Sequence, residues 1–358
     1  MPSSYNIPIE DDVRILALTL RIPVLELQRL CGNLVNEFDR MAMKMEEKML
    51  RKYLAVFVLF SILLIGCAST QEIHSPKSGD SPRIAVISAF EPEIDELLKD
   101  AQNVETYEIN GRLFHVGELA GNEVVIFMSG VSMVNAAMTT QTALDHFNIG
   151  GIIFSGIAGG VNPELNIGDV IVPEQWGQYQ EQLFARETQD GWDLGWYSEE
   201  FPNYGMMFPQ KVSVTRKGNK PDSEEEKFWF KANPEMLSAA QQVVGEVQLS
   251  DCTKLGKCLD TEPKVIVGGN GVSGSTFVDN AEYRDWVWDT FQANGVDMES
   301  ASVAHVAYVN DIPFIAFRSL SDLAGGGSGS NEMNIFFQLA SDNSAKVVIA
   351  FLEVWSER

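Results

Sequence analysis

The sequence predicts an α/β fold in which helices cover both faces of a central sheet. The run 83–88 is continuously apolar and β-branched, which is typical of a strand covered on both faces. The next segment, 90–98, has Pro92 at a first-turn position among acidic residues, as at the start of a helix. Near the C-terminus a helix-like run, 301–310, precedes an apolar strand-like run, 314–317. This alternation of strands and helices is typical of α/β domains.

Three acidic residues are predicted to meet at one edge of this sheet. Glu93 lies in the first helix, Glu299 opens the helix-like run near the C-terminus, and Asp322 follows the last strand-like run. Ligands of open α/β sheets bind at the edge where strands end and helices begin. Each acid alone is better explained by a helix dipole or a local turn, but the convergence of three acids from distant segments favours a site. Paired acids can cleave a glycosidic bond through an oxocarbenium-like state.

Of two glycine-rich segments, one is predicted to contact a ligand and the other only resembles a nucleotide-binding motif. A strand-like run, 151–154, leads into 155–160, where glycines allow backbone to approach a ligand closely. Residues 269–274 match the dinucleotide-binding fingerprint after the strand-like run 265–267. No long amphipathic helix follows, so that motif lacks its required context. We therefore expect no organic cofactor, and no metal is implied.

Five segments resemble a known family: 83–96, 129–137, 155–169, 273–278 and 296–324. In this order they are similar to the purine nucleoside phosphorylase superfamily, in particular its 5'-methylthioadenosine/S-adenosylhomocysteine nucleosidase branch. The motifs at 277–280, 297–301 and 320–328 most resemble plant bark and vegetative storage proteins. The resemblance implies a three-layer α/β/α fold with a central mixed, twisted sheet, built as a single domain over 83–358.

The resemblance also implies a role for each acid in the hydrolysis of a purine nucleoside. Asp322 would protonate N7 of the base, Glu299 would grip the ribose and steady the cationic sugar, and Glu93 would activate water. One pocket can hold a protonated acid beside an ionised one. Arg318 would orient Glu93 and the water. The substrate-binding positions implied are Phe90, Val131, Gly159, Phe277, Val278, Met298, Arg318 and Ser321.

The sequence favours water over phosphate as the nucleophile. Phosphorylases of this superfamily carry an arginine just before the glycine-rich turn, whereas this chain has no cation in 153–156. The predicted reaction releases adenine from a nucleoside such as methylthioadenosine. Ile157 departs from the nucleosidase pattern, where Ser is usual, and Ser132-Met133 replaces a usual Gly-Lys pair. Phosphorolysis stays open as an alternative. Because storage proteins share the Ile, a non-catalytic, nucleoside-binding or storage-like lipoprotein also stays open.

The N-terminal part predicts export. Lys48, Arg51 and Lys52 precede the apolar run 53–65, which is short for a bilayer span and has the length of a signal-peptide core. It leads into 64–67, which is similar to the lipobox of bacterial lipoproteins. An uncleaved membrane anchor is the alternative.

These features divide the chain into an N-terminal extension (1–48), a lipoprotein signal (49–67), a polar tether (68–82) and the catalytic domain. Lipidation would fall on Cys67 and would anchor the exported protein to a bacterial membrane. The residues after it, Ala-Ser, favour the outer membrane where a cell has two. The extension has two explanations, an upstream start codon assigned in error or a genuine cytoplasmic helical segment.

Composition and cysteine spacing limit the remaining partners. A formal net charge of −24 argues against nucleic acid and anionic membrane surfaces, but it does not affect a neutral nucleoside. Cys252 and Cys258, with five residues between them, favour a disulfide over a zinc site because no histidine lies nearby. The α/β pattern lapses in an insertion at about 177–262, interpreted as a lid or subunit contact or as a surface excursion. We expect a homodimer or a higher homo-oligomer.

Overall fold

The computed structural model describes residues 81–220, 223–327 and 329–358. The predicted extension, signal, lipidation site and most of the tether lie outside these residues. The strands are β1 (Arg83–Ser88), β2 (Gln102–Ile109), β3 (Arg112–Leu119), β4 (Asn122–Met128), β5 (Ile149–Gly160), β6 (Val170–Val172), β7 (Gln175–Gln178), β8 (Gln182–Phe184), β9 (Arg186–Thr188), β10 (Gly191–Asp193), β11 (Met207–Pro209), β12 (Val212–Val214), β13 (Glu225–Lys227), β14 (Trp229–Lys231), β15 (Val265–Val267), β16 (Asn270–Ser273), β17 (Ala293–Asp297) and β18 (Phe314–Asp322). The helices are α1 (Glu91–Asp100), α2 (Met133–His146), α3 (Pro234–Gln242), α4 (Ala281–Phe291), α5 (Ser300–Asn310) and α6 (Met333–Ser356).

The central sheet is mixed, as predicted. Its main path runs β14-β7-β16-β17-β5-β1-β4-β3-β2, while β18, β6 and β15 branch from it. The strand β1 lies parallel to β4 and β5, and β18 lies parallel to β5, whereas β17 lies antiparallel to β5. The long strand β5 therefore joins three neighbours, and their ends meet at one edge.

Helices cover both faces of the sheet, which confirms the three-layer prediction. Along β1, Ala85 and Ile87 enter a core with α2 and α5, while Val86 enters a second core with α1, α3 and α6. The helix α6 is long and apolar enough to cross a membrane by composition alone, but its apolar residues are largely buried in this second core. The alternation of strand side chains thus explains why 83–88 is apolar throughout.

The segment 155–160 differs from the prediction, because it is strand rather than turn. It continues β5, and its backbone pairs with β18 in parallel register as far as the partners Asp322 and Gly159. Glycine in a strand allows close approach by another group. Here the glycines bring the sheet backbone, not a loop, to the predicted site.

Parts of the predicted insertion belong to the central sheet and to the core. Gly177 pairs with Trp229, so β7 and β14 belong to the central sheet, and Met236 of α3 is part of the core. The pairs β8/β11, β9/β10 and β12/β13 form separate two-stranded sheets between them. A second irregular stretch, 243–264, contains a disulfide between Cys252 and Cys258.

Candidate functional site

A cavity of about 360 Å³ opens where β1, β5, β17 and β18 end. Ten of the predicted site residues line it, although they come from segments spread over most of the domain. They are Phe90, Glu93, Val131, Gly159, Phe277, Val278, Met298, Glu299, Ser321 and Asp322.

Glu93 lies in the first turn of α1, and two backbone N–H groups donate to its carboxylate. Its side chain is 1% exposed. Ala89 N donates to Oε2 at 2.6 Å, and Ile157 N donates to Oε1 at 2.9 Å. Burial raises the pKa of Glu93 above its ordinary value, although Arg318 and the N–H groups oppose the increase. A carboxylate with a raised pKa is a better proton acceptor at neutral pH.

Glu299 occupies the N-cap position of α5, but its carboxylate does not cap that helix. Instead, Ser132 N donates to Oε1 at 2.7 Å. Burial raises the pKa of Glu299 to about 8, Asp297 and Glu93 add to the increase, and Arg318 opposes it. The side chain therefore reaches from β17 and α5 toward the loop before α2 and closes one side of the cavity.

Asp322 lies at the end of β18, just after a register shift of the kind produced by a β-bulge. Ala324 N donates to Oδ1 at 2.8 Å, and Ser321 Oγ donates to Oδ2 at 2.8 Å. Asn331 Nδ2 lies 3.3 Å from Oδ1. Burial raises the pKa of Asp322, and these hydrogen bonds oppose the increase. Such a group can retain a proton and deliver it to a ligand.

Arg318 is fully buried and lies behind the acids rather than on the cavity wall. Its Nη1 lies 3.7 Å from Glu93 Oε1 and its Nη2 lies 3.5 Å from Glu299 Oε2. Its Nε lies 2.8 Å from Asp297 Oδ2, and its guanidinium carbon is 4.0 Å from the ring centroid of Phe154. Arg318 therefore contacts the carboxylates of the site, including Glu93, which the sequence predicted it to orient.

Several residues of the site were not predicted. Asp297 stands directly before Met298 in a motif that the sequence shows, so its acidic side chain was a usable signal. Ser132, Ala89 and Ile157 act through backbone N–H groups. Any residue type except proline can supply such a group, so the sequence held no signal for them.

The charge of the cavity is one-sided. Of the described residues that line it, four are carboxylic acids and none is Lys, Arg or His. Among residues 81–220, 223–327 and 329–358, no group of three or more His, Cys, Asp or Glu is arranged to hold a metal ion. Three of these acids, Glu93, Asp297 and Glu299, instead lie around the buried guanidinium of Arg318.

Solved structures with the same fold include enzymes that act on nucleosides. A Helicobacter pylori 5'-methylthioadenosine/S-adenosyl homocysteine nucleosidase superposes with a TM-score of 0.56 at 23% identity, covering 76% of this chain and 98% of that chain. The Helicobacter pylori futalosine hydrolase superposes with a TM-score of 0.57 at 23% identity, covering 76% of this chain and 97% of that chain. At this identity the comparison establishes the fold.

Sequence comparisons extend over most of the described residues. A 5'-methylthioadenosine/S-adenosylhomocysteine nucleosidase from Pseudoalteromonas translucida is 28% identical over 270 residues, which cover 75% of this chain and 96% of the relative. Bark storage protein A from Populus deltoides is 29% identical over 251 residues, which cover 68% of this chain and 78% of the relative. The sequence profile of the Phosphorylase superfamily matches residues 83–353. The chain therefore belongs to the phosphorylase superfamily.

Proposed function

We propose that the protein hydrolyses the N-glycosidic bond of purine nucleosides of the methylthioadenosine or adenosylhomocysteine type and releases adenine. One observation carries this proposal. Glu93, Glu299 and Asp322 are buried, line one largely apolar cavity and have raised pKa values. Relatives named as nucleosidases and a futalosine hydrolase support hydrolysis as the reaction class.

Departure of the base is assigned to Asp322. In the proposed step its carboxylic proton moves to N7 of the purine, and the electrons of the glycosidic bond leave with the base. The raised pKa supports this role because the proton is retained until the base accepts it. Ser321 Oγ and Ala324 N hold the carboxyl group in one orientation, so little side-chain entropy is lost when it donates its proton.

Stabilisation of the sugar is assigned to Glu299, and activation of water to Glu93. As the sugar becomes cationic, a carboxylate at its ribose face gains a favourable interaction that it does not have with the neutral substrate. Glu93 accepts the proton of the attacking water, whose oxygen bonds to C1′ of the ribose. Arg318, between the two acids, keeps both carboxylates in place.

Apolar residues support recognition of the base and of the 5′-substituent. Phe277 lines the mouth of the cavity with a side chain that is 51% exposed, so its ring is available to stack on a base. We assign the edge of the base to the backbone of Val278. Phe90 and Val131 provide an apolar wall suited to a thioether substituent.

Phosphorolysis is the less favoured reaction. A phosphate dianion requires cationic or N–H donors, and the described lining residues include no Lys, Arg or His. Four carboxylic acids would repel it. A neutral water molecule has no such conflict.

A nucleoside-binding protein without catalysis is the second candidate. Ile157 places an apolar side chain on the cavity wall, and bark storage protein A is among the relatives. However, Ile157 still donates its backbone N–H to Glu93, so the water-activating carboxylate remains fixed. A protein that only binds nucleosides has no need of this base beside two other acids.

A panel of nucleosides tests the proposal. The purified full-length chain is incubated with methylthioadenosine, adenosylhomocysteine, futalosine and adenosine, with and without phosphate, and free base is measured by chromatography. We expect base release that does not depend on phosphate. Release only with phosphate would establish phosphorolysis, while tight binding of intact nucleoside over days would favour the storage-like alternative.

A further inference from the structure

Asp297 is a buried carboxylate to which the mechanism above gives no role. It ends β17 and is 6% exposed. Its Oδ1 accepts a hydrogen bond from Ser273 Oγ, and Ser300 N lies 3.3 Å from both of its carboxylate oxygens. These donors fix the carboxylate in one orientation. Burial of a carboxylate costs free energy unless the group is hydrogen-bonded and an opposite charge pairs with it.

Its partner is Arg318, whose contacts are uneven. The Nε atom lies 2.8 Å from Asp297 Oδ2 and donates to Ser300 Oγ at 2.9 Å. By contrast, Nη1 and Nη2 have no hydrogen-bond partner among the described residues, and they lie 3.7 Å from Glu93 and 3.5 Å from Glu299. The guanidinium is therefore fastened along its Nε edge only, and its terminal nitrogens face the two acids without being bonded to them.

We propose that Asp297 is a positioning residue of the hydrolytic site, which holds Arg318 by its Nε edge and so directs both terminal nitrogens toward Glu93 and Glu299. The inference rests on the proposed function for its effect on turnover. The ring of Phe154 supports the same orientation, because the guanidinium carbon of Arg318 lies over it, 4.0 Å from the ring centroid. Both contacts are made with Arg318, so Asp297 acts through Arg318.

Asp297 also sets the charge balance of the cluster. Three groups face the carboxylate of Glu299: Arg318 on β18, Asp297 at the end of β17 and Glu93 in α1. Asp322 lines the same cavity. One guanidinium thus serves three carboxylates. Removing the charge of Asp297 takes a repulsive neighbour from Glu299, and this change lowers the pKa of Glu299.

The test compares Asp297→Asn with wild type over a pH series. We expect kcat to fall at least about tenfold, since the acids lose their fixed cation, with KM within about threefold. The acidic limb of the pH profile of kcat should move to lower pH. Asp297→Glu retains the charge, so its limb should stay near the wild-type position even where kcat falls.

Asp169→Asn is the matched control. Asp169 is another buried aspartate and is 1% exposed. It accepts hydrogen bonds from Asn166 N and Lys264 N, both at 2.9 Å, and is not part of the cavity. This variant should lose stability and keep the pH profile. A limb that moves equally in both variants, or in neither, would overturn the inference.

A measurement without substrate separates this inference from the proposed function. The carboxyl carbon of Glu299 is followed by ¹³C NMR in the full-length chain labelled at glutamate, with Glu299→Gln used for assignment. The titration midpoint should be lower in Asp297→Asn than in wild type and unchanged in Asp169→Asn. An unchanged midpoint in Asp297→Asn refutes the inference, whether or not the protein turns over a nucleoside. A shifted midpoint in a protein without turnover would refute only the proposed function.

Discussion

Asp322 and Glu299 line the same cavity, but their surroundings differ in one respect. Asp322 is held by neutral donors, Ser321 Oγ and Ala324 N, whereas Glu299 lies 3.5 Å from the cation of Arg318. Burial raises the pKa of both. A neutral environment suits an acid that gives up a proton, and a nearby cation suits one that must be ionised during the reaction.

Substitution of Asp322 should be selective for the leaving group. Asp322→Asn removes the proton that the purine requires, so turnover of adenine nucleosides should fall by about a hundredfold or more. A nitrophenyl riboside, whose leaving group needs no proton, should still be cleaved. Both rates are measured on one preparation. Equal loss on the two substrates would show that Asp322 is not the leaving-group acid.

Glu299 should make stability fall as pH rises. Its pKa is raised from an ordinary value of 4.5 to about 8, so between these values the folded state binds more protons than the unfolded state. The stabilisation is complete below the unfolded-state pKa and is lost as pH increases through about 8. Glu299→Gln resembles the protonated side chain and lacks this dependence.

Thermal denaturation between pH 5 and pH 9 checks this. The variant should match wild type at pH 5 and exceed its Tm by a few degrees at pH 9. Burial also raises the pKa values of Glu93 and Asp322, so the variant should keep part of the slope. Parallel Tm curves for the two proteins would contradict the raised pKa of Glu299.

At the scale of single elements, β5 determines how closely Arg318 approaches the acids. A Cβ atom at Gly156 would overlap Arg318 Nη1 and Glu93 Oε1. At Gly160, in the same strand, the nearest atom to an added Cβ would be Leu320 Cδ1 at 3.0 Å, the end of a flexible side chain. A side chain at Gly156 would therefore displace two residues of the site, whereas one at Gly160 would first meet a flexible leucine side chain.

Gly156→Ala should displace Arg318 and Glu93. We expect loss of activity by about a hundredfold, since misplacing a catalytic group by about 1 Å has this effect, and a destabilisation of about 1–3 kcal/mol from overpacking. Gly160→Ala is the control and should keep activity within a few-fold. Activity and the free energy of unfolding are measured for both. Near-normal turnover by Gly156→Ala would exclude the close-approach explanation.

Sequence patterns were sufficient for the elements that carry the three acids, but not for all of their ends. The apolar run 83–88 and the acidic start of α1 were predictable because strand burial and helix dipoles leave local signatures. The edge rule for α/β sheets was enough to bring Glu93, Glu299 and Asp322 together. The strand 155–160 was missed because glycines are typical of turns, and its pairing with β18 is a long-range contact. The backbone N–H donors of the site could not be predicted, because any residue type except proline can supply such a group.

For the molecule as a whole, location depends on a part of the chain outside the described residues. We propose that Cys67 carries the lipid that anchors the domain to a membrane, because a signal-like apolar run precedes it. Cys67→Ser should leave the membrane fraction or remain uncleaved, while the activity of the domain is unchanged. Detergent-phase partitioning and gel mobility are measured. A variant identical to wild type in both would contradict the anchor.

The account depends most on water being the nucleophile at a nucleoside bound among Glu93, Glu299 and Asp322. The direct measurement is the hydrolysis of methylthioadenosine in ¹⁸O-labelled water with phosphate present, followed by mass spectrometry of the released sugar. We predict one ¹⁸O atom at C1 of methylthioribose, equimolar free adenine and no sugar phosphate. A methylthioribose 1-phosphate product, or intact nucleoside after prolonged incubation with folded protein, would contradict the account.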